Sequence, residues 1–193
     1  MKRDHSTKII LATLLCGIVA LAGWRRALAA AAPDADHAAL RNQVQQFQET
    51  LNRDLQTDPF SLLQDAKGIY LPHYGVVFHM ELNLAPLRPI SAFNVRPYTE
   101  EELQQARQTK LQRIVQLKNH LSDLLLQHAG DLSAVPPDQS VAVVVHLFNL
   151  PSERTEGLPI QILIEAPRSA MAATQGKPGT ADDFRKQVSF FDF

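Results

Sequence analysis

The chain has 193 residues, of which 45% are hydrophobic and 20% charged, and its formal net charge is −1. That length supports one domain with a real core and hardly two. Nine Phe against eight Gly, with a mean hydropathy of −0.14, exclude a disordered, collagenous or polytopic membrane protein. Without a basic surplus, a nucleic-acid binder is disfavoured.

The N-terminus reads as an address. Lys2, Arg3 and Lys8 precede an apolar run from Ile9 to Trp24, about 16 residues where a spanning helix needs about 20. Ala27-Leu28-Ala29 then offers the small-x-small pattern of a signal-peptidase site, so residues 1–29 are expected to be a cleaved signal peptide, leaving a single domain at 30–193. The competing reading is an uncleaved anchor over residues 9–24, because Arg25 and Arg26 on the far side weaken the charge bias. These arginines follow the apolar run and so are no twin-arginine signal. Cys16 is preceded by Leu15, which does not fit a lipidation site, and it is the only cysteine. Cleavage would leave a chain with neither disulfide nor thiol. It would also leave 14 basic and 19 acidic residues, a charge of −5, in an exported, periplasmic or secreted protein.

In the mature region, Leu40, Val44, Phe47, Leu51 and Leu55 recur at helical spacing after Asp36, a potential cap. Phe60 to Ala66 is expected to form a short helical turn. Phe78, Met80, Leu82 and Leu84 alternate with Val77, His79, Glu81 and Asn83, which predicts a strand with one buried face. Ile69 to Leu71 is its short partner across a Pro72–Gly75 turn, and Pro86, Pro89 and Pro97 predict an irregular loop. Thr99 with Glu102 is a capping box, opening a helix of about 30 residues that ends at Gly130. Val141–Leu150 predicts a central strand and Pro159–Ala166 a further one centred on Ile160, Ile162 and Ile164. Ser169–Thr174 predicts a helical turn, Gly176–Gly179 a loose segment, and Val188–Phe193 an aromatic edge strand. The expected fold is α+β: a mostly antiparallel sheet with one face against two long helices.

Three constellations are candidates for function. His79 and Glu81, two apart on a strand, share a face, and His146 lies mid-strand in another apolar run; together they could form a metal or acid–base site. Decoration of a solvated sheet face is the simpler account. Tyr70, His73 and Tyr74 sit around a turn framed by Pro72 and Gly75 and could grip a sugar, a peptide or a protein; a tight hairpin covering the core edge is the alternative. On the long helix His120 and Asp123 face each other at i, i+3, with His128 two turns beyond. These three, like Glu100 to Glu102, fit an ordinary helix surface and helix start.

No phosphate-loop, dinucleotide, zincin or nucleophile-elbow signature is present. No cofactor is expected. The segment Gly68-Ile69-Tyr70-Leu71-Pro72-His73-Tyr74-Gly75-Val76-Val77-Phe78 resembles one in a family of uncharacterised exported bacterial proteins, with a long helix and two strands following. The resemblance implies export and a single domain, and brings no activity with it. The leading expectation is a non-catalytic binding or accessory protein of the cell envelope, with an envelope protein as partner. The alternative is an exported metal-assisted or His-dependent enzyme using His79, Glu81 and His146.

Overall fold

Leu40, Val44, Phe47 and Leu51 form the buried stripe of helix α1 (His37–Asp54), and Leu55 just beyond it is also buried. A computed structural model describes residues 37–85, 96–174 and 181–193, all within the unit Ala35–Phe193. The signal segment 1–29, its anchor alternative at 9–24, the Pro86–Pro89 stretch and Gly176–Gly179 lie outside the described residues. Among the described residues no helix is long and apolar enough to cross a membrane.

Strand β1 (Ser61–Leu71) pairs antiparallel with β2 (Gly75–Asn83) from Leu71↔Gly75 to Ser61↔Asn83. The helical turn expected at Phe60–Ala66 is therefore mostly strand. The nine-residue partner β2 extends the hairpin through it, and pairing overrides a weak local preference. Register shifts between Leu62 and Gln64, and between Gln64 and Lys67, mark bulges.

Thr99 opens helix α2 (Glu100–Gln127). Its hydroxyl accepts the Glu102 N–H at 3.2 Å while Glu102 accepts the Thr99 N–H at 2.8 Å, the expected capping box. The 28 residues run roughly 42 Å, enough to carry the chain back along the sheet. Strand β3 (Ser140–Phe148) consequently starts at the same end as β2 and lies parallel to it, Gly75↔Ser140 through Asn83↔Phe148. A short 3₁₀ turn (Ala129–Leu132) precedes β3. Strand β4 (Gln161–Pro167), helices α3 (Arg168–Thr174) and α4 (Ala181–Arg185), and strand β5 (Ser189–Asp192) complete the order β1-β2-β3-β4-β5. The fold is α+β with a five-stranded mixed sheet: three of its four strand pairings are antiparallel, in keeping with the expected mostly antiparallel sheet, and the helical crossover makes the β2–β3 pair parallel.

One sheet face supplies Val76, Phe78, Met80 and Leu82 from β2, Val141, Val143 and Val145 from β3, and Ile162 and Ile164 from β4. These meet Phe47 and Leu51 of α1 and Ile114, Leu117, Leu121 and Leu125 of α2 in one core. On the opposite face His79, Glu81, Val144, His146, Leu163 and Phe191 stay partly or fully exposed, while the small Ala142 is buried. Among the described residues the helices thus cover one face only. Ile160, expected inside β4, precedes that strand and is 62% exposed.

Candidate functional site

The uncovered face is organised in cross-strand rows. One runs Lys67–His79–Val144–Leu163–Phe191; the next runs Gln64–Glu81–His146–Gln161. His79 and His146 are diagonal neighbours, with ring centroids 4.9 Å apart and planes at 63°. Glu81 stands directly opposite His146 in register. The sheet therefore brings His79, Glu81 and His146 together, two imidazoles and a carboxylate that can donate to and accept from a polar ligand lying across the strands. Among the described residues no group of three or more His, Cys, Asp or Glu is arranged to hold a metal ion.

The hairpin turn splits its three candidates. Tyr70 pairs with Val76, on the helix side, and packs against the core. His73 adopts φ 69° at the exposed tip. Tyr74 donates its backbone N–H to the Leu71 carbonyl at 3.1 Å and bonds the Glu165 carboxylate through its hydroxyl. Burial, then the Glu165 charge and that hydrogen bond, hold the Tyr74 phenol above its ordinary value of 10.0. Since Glu165 lies on the uncovered face, Tyr74 belongs to its rim. Gly75 closes the turn at φ 130°, with the Ser140 carbonyl where a Cβ would sit.

The helical candidates also diverge. His120 stacks 5.6 Å from the Phe60 ring and, with Asp58, Asn119 and Asp123, lines a groove of about 580 Å³. Its Nε2 is buried without a protein partner. Asp123 pairs with Arg185 at 2.6 Å, and His128 with Asp131 at 2.6 Å. Glu100 pairs with Arg154 and Glu102 with Arg96, as a solvated helix start would.

Two buried cations escaped the sequence reading. Lys110 is 1% exposed; its Nζ donates to the Phe148 carbonyl at 2.9 Å, Asn149 Oδ1 at 2.7 Å and Glu153 Oε2 at 2.5 Å. The signal was its position, midway between Ala106 and Ile114 on the inner stripe. Arg168 donates Nε to the Leu132 carbonyl at 2.9 Å while Nη1 stays unpartnered, and burial lowers its pKa.

The sheet's two edges are finished differently. Along β1, Asn52 Oδ1 of α1 accepts the Ala66 N–H at 2.6 Å and Gln48 Oε1 accepts the Gly68 N–H at 3.1 Å. Along β5 no residue is buried, and Phe190, Phe191 and Phe193 are 38%, 45% and 63% exposed. No protein-family model, curated protein or solved structure matches this chain.

Proposed function

We propose that this is an exported, non-catalytic binding or accessory protein of the cell envelope, and that it captures an envelope protein on its uncovered sheet face. The observation that carries the reading is the row of half-exposed apolar side chains (Val144, Leu163, Phe191) beside the imidazoles of His79 and His146. Such a surface combines apolar area with a few directional polar groups, the composition of protein contact sites. The N-terminal pattern and the resemblance of residues 68–78 to exported proteins support the location. Signal cleavage predicts Ala30 as the first residue of the exported product; full-length chain recovered only from membranes would replace cleavage with a retained anchor. Capture from envelope extract by the wild type, lost in His79→Ala/His146→Ala with unchanged melting, is the expected outcome. Equal capture by wild type and variant removes this face from the function.

The second reading, an exported metal-assisted or His-dependent enzyme on the same face, is favoured by the 4.9 Å approach of His79 and His146. It requires a stoichiometric ion or a titrating histidine in the purified protein. Elemental analysis and a pH–activity profile decide it.

A further inference from the structure

Strand β5 ends the sheet, and among the described residues no strand pairs with its outer side. Phe193 exchanges both backbone hydrogen bonds with Gln161, N–H to carbonyl at 3.0 Å and the reverse at 3.2 Å. Antiparallel ladders alternate with a period of two, so Phe191 and Ser189 also bond inward to Leu163 and Glu165. The N–H and C=O groups of Phe190 and Asp192 therefore point away from the sheet. An exposed edge of this kind is a template for one more strand.

We propose that the occupant of this edge is a second copy of this chain, paired β5 to β5 about a two-fold axis through Phe191. That register places Phe190 opposite Asp192 of the second copy and joins them by both backbone hydrogen bonds; the axis repeats the pair, giving four in all. Phe191 then faces Phe191 of the second copy as a close, non-hydrogen-bonded pair on the uncovered face, a favourable aromatic cross-strand contact.

Charge complementarity selects this partner. Phe190 and Asp192 project to the helix side, where Lys118 Nζ stands 2.7 Å from Asp192 and 5.9 Å from the Phe190 ring centroid. In the proposed register the carboxylate of Asp192 from the second copy arrives opposite Phe190, beside that same lysine. Two lysines and two aspartates would then alternate across the axis, each cation between two anions. The other edge is less open to pairing: the Ala66 and Gly68 donors of β1 are held by Asn52 and Gln48, and bulges interrupt the strand, which favours stopping at two copies.

Sedimentation equilibrium of the purified protein tests the assembly, and cross-linking tests its register. Phe190→Pro removes an outward N–H while leaving every β4–β5 backbone bond in place, so it is expected to yield a folded monomer whose melting, unlike that of the wild-type dimer, does not rise with protein concentration. In a Cys16→Ser background, Phe191→Cys is expected to oxidise to a disulfide-linked dimer, because opposed residues of a non-hydrogen-bonded pair lie within disulfide reach. Phe193→Cys, opposite Ser189 of the second copy, is expected to stay unlinked. A wild type that is monomeric up to its solubility limit overturns the proposal, even if it captures another protein. So does a dimer that persists in Phe190→Pro, or one that cross-links through position 193 and not through 191.

Discussion

β1 and β5 are both edge strands of one sheet, yet one is sealed and the other is open. At β1 the bulges near Gln64 twist the strand, α1 lies close against it, and amide side chains of α1 occupy the outward donors of Ala66 and Gly68. At β5 the strand is short, aromatic on both sides and exposed at each of its four residues. The contrast teaches that sealing requires a helix at close range. Gly68 is what permits it: a Cβ there would lie 2.4 Å from Val44 Cγ1 and 2.7 Å from Phe78 Cε1. The β5 edge has no described helix supplying amides to its outer side.

Where a charge does the sealing, the expected effect is largest. Lys110 of α2 holds the Phe148 carbonyl at the end of β3 and pairs with buried Glu153. Lys110→Ala leaves that carboxylate uncompensated and is expected to cost about 3–5 kcal/mol by denaturant unfolding. Lys110→Met/Glu153→Gln, which removes both charges, should recover much of the loss; failure to recover would show that the cost is one of packing. Gly68→Ala comes next. Overpacking against Val44 and Phe78 is expected to cost about 1–3 kcal/mol, and an unchanged melt would mean that α1 does not need its close approach. Asn52→Ala follows, near the lower end of about 1–3 kcal/mol, because the Ala66 N–H loses its acceptor at a buried residue. Its amide exchange should accelerate while exchange in β3 stays slow.

Much of this frame was legible in the sequence, because helical stripes and strand alternation are local patterns. The stripe from Leu40 to Leu55, the Thr99–Glu102 box and the alternation from Val77 to Leu84 each depend on residues within a few turns or pairs. What was not legible depends on partners far along the chain. The first half of β1 becomes strand only because β2 pairs with it. Lys110 sits buried because Glu153, 43 positions later, reaches it. The approach of His79 to His146 follows from the parallel β2–β3 register, which the α2 crossover fixes and no local motif announces. Ile160 continues the alternation of Ile162 and Ile164, but it precedes the strand and so its side chain meets solvent.

The open edge is expected to be tolerant where the sealed one is not. Phe190→Pro should differ from Phe190→Ala in monomer stability by less than about 0.5 kcal/mol, since both lose the ring beside Lys118 and the outward N–H that proline removes has no partner among the described residues. Set against Asn52→Ala, the proline variant isolates the comparison: both touch an outward backbone donor of an edge strand, and only one of those donors is held. Equal destabilisation by the two, with Phe190→Pro measured from Phe190→Ala, would erase the distinction between the edges.

The smallest effect concerns the rim of the uncovered face and appears only at high pH. The folded protein holds the Tyr74 phenol above 10.0, chiefly through burial and then through Glu165, so folding disfavours the tyrosinate. A raised folded-state value means that this contribution is complete below the unfolded value near pH 10 and is lost as pH climbs through the folded one. Stability should therefore fall on the alkaline side, above about pH 10, and the neutral range should be flat with respect to this group. Tyr74→Phe removes the titrating proton. Its melting temperature should be close to that of the wild type at neutral pH, because the ring is only partly buried, and it should decline less steeply above pH 10. Parallel alkaline limbs for the two proteins would show that Tyr74 does not sense Glu165, and that the turn and the uncovered face are electrostatically independent.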